Sequence, residues 1–325
     1  MSSRGVVAVV LVVVACLTWW GQGAGQPSGL GKITLGLSVS DTFEYLPAHA
    51  AEDLGTWKKR GLDVTVVAFP GEARLLQAFA AQGIDMGLGS ASGGLLAASR
   101  GLNARVIAAV SNTISLSLVV APEIKSREDL KGKVMGVTSA NAPTDILGQK
   151  LAKSLTGSPD GIKRAYLGGF QNQVAALKTH QTQGFVWTLD GIFDVEKKGL
   201  GHLLLNFSDE LPDFAFESII ATQKLIAERP DAVRAALDGW YEAQAYLKAN
   251  KEYAVALFEK KMEIPKDIGA RVWDLGAKAW VDDGQFTDKG LQAAAQFMLD
   301  SGVIKEVPPT DAWLDKRFLP VQWKK

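Results

Sequence analysis

Polar and aromatic residues suited to holding a small molecule fall in five short clusters, each following an apolar, β-rich run. They are Ser40, Phe43 and Tyr45; Glu72 after Pro70-Gly71; Ser90 and Ser92; Thr138, Asn141 and Thr144; and Trp187 with Asp190. The hydroxyls both donate and accept hydrogen bonds. Several clusters open a helix, whose unpaired N–H groups and positive dipole end favour an anion or a carbonyl oxygen. Phe43, Tyr45 and Trp187 are expected to form an aromatic wall for an apolar or ring-containing ligand. Glu72 and Asp190 suit a cationic or hydrogen-bond-donating group. Each residue also has a purely structural reading: the hydroxyls as helix caps, the acids as first-turn residues stabilised by the dipole. Arg74 is the basic residue nearest such a cluster and reads as part of a solvated helix face.

Catalytic patterns are absent from the sequence. The three histidines, His49, His180 and His202, lack metal-ligand spacing, and there is no Gly-x-Ser-x-Gly elbow or P-loop. Gly87-Leu88-Gly89-Ser90-Ala91-Ser92-Gly93 has one residue too many before its third glycine for a dinucleotide fingerprint. Cys16 is the single cysteine and lies in the N-terminal run, so the body carries neither thiol nucleophile nor disulfide. No cofactor and no metal are expected, and the chain reads as a binder and not an enzyme.

The elements that must place these clusters alternate. Strands are expected at Lys32–Ser38, Leu62–Phe69, Ile84–Leu88 and Arg105–Val110, with helices at Pro47–Lys59 and Glu72–Gln82 and a short Ala-rich helix ending at Gly101. Ile114 to Val120 alternates as a half-exposed strand. After Pro122 the pattern restarts, with strands at Lys133–Val137, Ile162–Tyr166, Gly184–Trp187 and Leu203–Phe207. Helices start at Pro143, Gln173 and Phe193. From Lys224 to Asp300 the chain reads as helical. Such alternation predicts an α/β protein with mostly parallel sheets flanked by helices. Ligands in these sheets bind beyond the carboxyl ends of the strands, where the five clusters fall. Trp240, Trp273, Trp280 and Trp313, in helical or tail segments, read as packing residues.

With 325 residues, 47% hydrophobic and 22% charged, two lobes with substantial cores are expected. Lys plus Arg and Asp plus Glu are 35 each, so no net field recruits nucleic acid or an anionic membrane. Residues 1–25 have the layout of a secretory signal peptide: Arg4, an apolar run from Gly5 to Leu17, then small residues near Gly23 to Gly25. Val13-Val14-Ala15-Cys16 resembles a lipobox, which would instead leave a lipid anchor on Cys16. Both routes place the body outside the cytoplasm, in the periplasm either free or lipid-anchored.

Tyr45-Leu46-Pro47, Ala50-Ala51-Glu52-Asp53-Leu54-Gly55 and Lys59-Arg60-Gly61-Leu62-Asp63-Val64 form one ordered set of motifs. Ala78 to Gly83 with Ile84-Asp85-Met86-Gly87, Leu118-Val119-Val120, Ile124, and Asp129-Leu130-Lys131-Gly132-Lys133-Val134-Met135-Gly136-Val137 continue it, and Pro230 to Leu247 closes it. The set resembles the nitrate/sulfonate/taurine-type ABC-transporter substrate-binding proteins, whose relatives include binders of the thiamine pyrimidine precursor. The resemblance covers essentially the mature chain. It implies a two-lobed type II periplasmic-binding-protein fold, with residues 30–120 and 218–325 in one lobe and 121–217 in the other. It also implies a monomer that closes on a small organic ligand, alkanesulfonate- or taurine-like or pyrimidine-like, and delivers it to an ABC permease in the inner membrane. The family's Gly-x-x-Asp-Ala is replaced here by Gln181-Thr182-Gln183-Gly184-Phe185-Val186-Trp187, so ligand identity does not carry over. Two other classes use the same scaffold: enzymes of pyrimidine-precursor or menaquinone type, and periplasmic sensory modules. The first is opposed by the export signal and the missing cysteine motif.

Overall fold

The computed structural model describes residues 29–40 and 42–323; the expected signal segment 1–25 and Cys16 lie outside the described residues. Ten strands occur among the described residues: β1 (Gly31–Leu37), β2 (Leu62–Ala68), β3 (Met86–Ser90), β4 (Ala104–Ala109), β5 (Leu116–Val120), β6 (Val134–Val137), β7 (Lys163–Tyr166), β8 (Gly184–Thr188), β9 (His202–Asn206) and β10 (Glu217–Thr222). They form two five-stranded sheets of matching topology, ordered β2-β1-β3-β10-β4 and β7-β6-β8-β5-β9. In each sheet four strands share one direction, and the fourth in order runs against both neighbours: β10 in the first and β5 in the second.

Each of those reversed strands is reached by one of the two crossings between sheets. The chain passes from β4 to β5 through residues 110–115 and returns from β9 to β10 through residues 207–216. The crossings are tied together, Phe214 N–H donating to Asn112 O (3.0 Å) and Phe216 N–H to Ser111 O (3.1 Å). Strand β5 therefore belongs to the second sheet, although the sequence reading ended the first lobe at residue 120. It is also not half-exposed. All five of its residues are buried, because it lies between β8 and β9 with helix packing against it. Alternation along a strand marks one wet face only when the other face alone is covered.

Helices α1 (Leu46–Asp53), α2 (Glu72–Ala80) and α3 (Ala91–Ser99) belong to the first lobe, and α4 (Pro143–Thr156), α5 (Phe170–Lys178) and α6 (Leu189–Lys197) to the second. The expected helix from Pro47 to Lys59 is broken. Gly55 takes a left-handed conformation (φ 66°) and a short 3-10 turn at Lys58–Arg60 completes the segment, since only glycine adopts that conformation without strain. In α4, proline stands at the first position and Gly157 closes the helix left-handed.

The C-terminal part contains α7 (Gln223–Glu228), α8 (Pro230–Ala249), α9 (Lys251–Met262), α10 (Lys266–Gly276) and α11 (Asp288–Asp300). Helix α8 lies against α1 and β2, and α11 against α3, so this part wraps the first lobe; α10 reaches across to α6 of the second. Trp240, Trp280 and Trp313 are buried, as their packing role requires. Two hydrophobic clusters form the core, and each draws residues from both lobes.

Candidate functional site

The ends of β1, β3 and β10 face the ends of β6, β8 and β5 across a cleft that holds a cavity of about 60 Å³. A water needs roughly 10–15 Å³ measured this way, so the space suits a few heavy atoms of ligand. One wall comes from the first lobe, chiefly Ser38, Tyr45, Glu72, Ser90, Phe216 and Glu217. The other comes from the second lobe, chiefly Leu116, Thr138, Thr144, Trp187 and Thr188. The lobes touch at the rim. Thr42 Oγ1 lies 3.3 Å from Thr188 Oγ1, and Ala73 N–H donates to Ser139 Oγ at 3.2 Å.

The first-lobe wall is organised around buried acids. Glu72, at the start of α2, folds over the start of α3. Its Oε1 accepts from Ser90 N–H (2.6 Å) and from Ser90 Oγ (2.8 Å). Ser90 Oγ accepts in turn from Gly93 N–H at 2.8 Å, the N-cap bond of α3. A Cβ on Gly93 would stand 2.3 Å from that carboxylate, so glycine is what lets the acid lie against the helix. Burial raises the Glu72 carboxyl to about 7 against the pull of the Ser90 hydrogen bonds. Glu217 stands opposite Ser90 in the β3–β10 register and accepts from Tyr45 Oη at 3.1 Å. Burial, with Glu44 and Glu72 nearby, holds it well above the usual carboxylate range. Burial and Glu217 likewise push the Tyr45 phenol up. Tyr45 Oη is also 2.7 Å from Ser38 Oγ.

The second-lobe wall is made of hydroxyls and one indole. Thr144 Oγ1 accepts from Thr138 N–H (3.0 Å) and lies 2.9 Å from Thr138 Oγ1. Helices α4 and α6 begin here, and neither N-cap makes a side-chain capping bond. Trp187 is 3% exposed, and its indole Nε1 has no hydrogen-bond partner. Among the described residues that line the cavity, none is Lys, Arg or His.

Of the residues singled out from sequence, Tyr45, Glu72, Ser90, Thr138, Thr144 and Trp187 line the cavity. Others do not. Phe43 is a core residue, stacked on Trp280 (4.6 Å, 11°) and edge-on to Phe258 (5.7 Å); the short helical turn it sits in points it at α9 and α10. Ser92 stands behind Ser90, 2.9 Å between their oxygens. Asn141 has positive φ (61°) and gives its backbone N–H to Asp145 at 2.8 Å, a turn-forming role. Asp190 is buried in the first turn of α6, outside the lining, and Ser40 is exposed, with Ser38 taking its place on the wall.

Glu217 and Leu116 lie on the two reversed strands, and the sequence reading placed no strand at residues 217–222. The rule of carboxyl ends selects parallel strands, whereas β10 and β5 run the other way, so their first residues reach the cleft. Glu217 sits opposite Ser90 and Leu116 opposite Thr188. A lone acid between Phe214-Ala215-Phe216 and Ser218-Ile219-Ile220 was the available signal.

Several known proteins are similar to this chain. A Brucella abortus protein provisionally named as a binding protein is 28% identical over 239 residues, covering 70% of this chain and 71% of its own. Among solved structures, the alkanesulfonate-binding protein SsuA of Xanthomonas axonopodis pv. citri, bound to MOPS, superposes with a TM-score of 0.69 at 17% identity, over 88% of this chain and 96% of that one. A Candida albicans protein described as having the generic periplasmic binding protein fold gives 0.71 at 14% identity, over 88% and 96%. The two mixed, helix-flanked sheets are thus a periplasmic-binding-protein fold. The profile of the family described as NMT1/THI5 like matches residues 42–254, more than half of the sequence, and the chain belongs to that family.

Proposed function

We propose that this protein is the extracytoplasmic substrate-binding component of an ABC importer, a non-catalytic receptor that closes its two lobes on one small organic molecule and presents it to a membrane permease. The observation that carries this reading is the cleft cavity walled by both lobes, with hydrogen-bonding groups converging from each. The SsuA-like fold supports it. Among the described residues no helix is long and apolar enough to cross a membrane. The protein works as a monomer, soluble in the periplasm after loss of residues 1–25 or held there by lipid on Cys16. Intact mass of the exported protein separates those two forms.

Of the two ligand types suggested by sequence, a ring with donor groups suits Trp187, Phe216 and the acids better than an alkanesulfonate, which finds no basic partner on the described lining. The test is native mass spectrometry of the purified protein, followed by thermal shift with the copurified compound. A bound small molecule that raises the melting temperature supports a receptor; at a hundred times Kd the gain is about 2.7 kcal/mol. Chemical turnover of that compound would overturn the reading.

A further inference from the structure

We infer that the cleft selects a small organic cation, a protonated amine or amidine, whose N–H groups are received by Glu217 and Glu72. This deepens the receptor reading and rests on it. In this fold the start of α3 would offer a ready anion site, with free N–H groups at the positive end of a helix. That position is already filled by the protein's own carboxylate, Glu72, bonded to Ser90 N–H and Oγ. Beside it, Glu217 faces the cavity with Glu44 and Glu72 as charged neighbours. The polar groups packed around these acids are Tyr45, Ser38, Ser90 and Thr42, all without formal positive charge. An anionic head group would thus enter a buried site among carboxyls with no counter-ion, which is strongly unfavourable in a low-dielectric setting.

The opposite wall adds a second observation. Trp187 is almost wholly buried at the cavity, and its indole N–H is unpartnered. A buried donor of this kind is satisfied when a ligand supplies an acceptor. The ligand that completes the first-lobe wall has donors at its charged end, and an acceptor within reach of Trp187 would add a further bond. Tyr45, Trp187 and Phe216 also line the space, and aromatic faces attract cations.

The cation displaces protons. Burial raises Glu72 to about 7 and holds Glu217 well above the usual carboxylate range, so any proton these two acids hold must leave as the cation enters. Affinity then rises with pH through this range, by up to about tenfold per unit for each proton released to solvent. An anion held by the same acids as protonated donors would show the opposite slope.

Calorimetry on the mature protein between pH 6 and 8, with the matched pairs acetamidine and acetate and benzamidine and benzoate, and with propanesulfonate, tests this. Glu217→Gln and Glu72→Gln are measured in parallel, each checked for a cooperative melt. The expected result is amidine binding at least tenfold tighter than carboxylate, tightening with pH, and weakened at least tenfold in whichever variant folds. Tighter binding of a carboxylate or of propanesulfonate overturns the cation assignment and leaves the receptor reading standing. Should no probe bind, the copurified molecule decides: a cation supports the assignment, an anion overturns it, and no bound molecule at all removes the receptor reading with it.

Discussion

At the scale of single residues, Glu72 illustrates how a side chain can be both structural and poised for ligand. It satisfies α3's first turn through Ser90 and also lines the cavity. Its titration makes a stability prediction. The folded value, about 7, lies above the ordinary 4.5, so the folded state holds a proton that the unfolded state has lost between those limits. The stability from that proton is complete below about 4.5 and disappears as pH rises through 7. The ligand-free melting temperature should therefore fall between pH 5 and 8, and Glu72→Gln should flatten that dependence; an unchanged slope in the variant would assign it elsewhere. Phe43 and Trp187 separate core from site. Phe43→Ala should cost about 3–5 kcal/mol in denaturant unfolding while the ligand affinity of the folded fraction stays within about twofold. Trp187→Phe keeps a ring beside Phe170, 5.6 Å from the native indole, while removing the N–H donor and part of the ring volume. It should weaken ligand binding by roughly tenfold, the worth of one buried hydrogen bond, and lower the melting temperature modestly through the void that the smaller ring leaves.

At the scale of elements, the two crossings and the contact between α6 and α10 join the lobes. The crossings are hydrogen-bonded to each other and are the natural place for lobe rotation, since hinge motion is absorbed by a few residues between rigid units. Across the cleft side, Lys197 in α6 reaches Asp267 in α10 at 2.6 Å, and the Arg271 guanidinium lies 3.5 Å from the centre of the Phe193 ring. The Lys197–Asp267 pair is exposed, so its contribution is modest and salt-sensitive. Asp267→Lys should widen the unliganded particle in small-angle scattering and weaken ligand binding by no more than about fivefold. Adding Lys197→Asp should restore both at low salt. If the single variant leaves scattering and affinity unchanged, the pair plays no part in closure.

At the scale of the whole molecule, the fold is two copies of one sheet order joined at their reversed strands. Binding should contract the particle as the lobes close, visible as a smaller radius of gyration on saturation; an identical radius with and without bound ligand would rule out a hinge receptor. Much of this architecture was legible in the sequence. Apolar periodicity and the Gly and Pro boundaries located nearly every strand and helix, because those signals are local: Pro143 opens α4, and Gly61 precedes β2. Six of the fifteen lining residues were legible too, chiefly where a parallel strand runs out into a helix, as at Ser90 and Thr138. Strand direction was not. It depends on which distant strand supplies the hydrogen bonds, and reversal of β5 and β10 moved one strand between lobes and brought Leu116 and Glu217 to the cleft. Nor could residue type separate Phe43 from Tyr45, two positions apart, since only the packing of α9 and the Trp280 segment decides which ring is covered. The sequence by itself determined most of the elements, the two-lobed class and six of the fifteen residues of the cavity wall. The tertiary structure alone decided the wall's charge, because the acids at Glu72 and Glu217 meet only when a reversed strand lies beside β3.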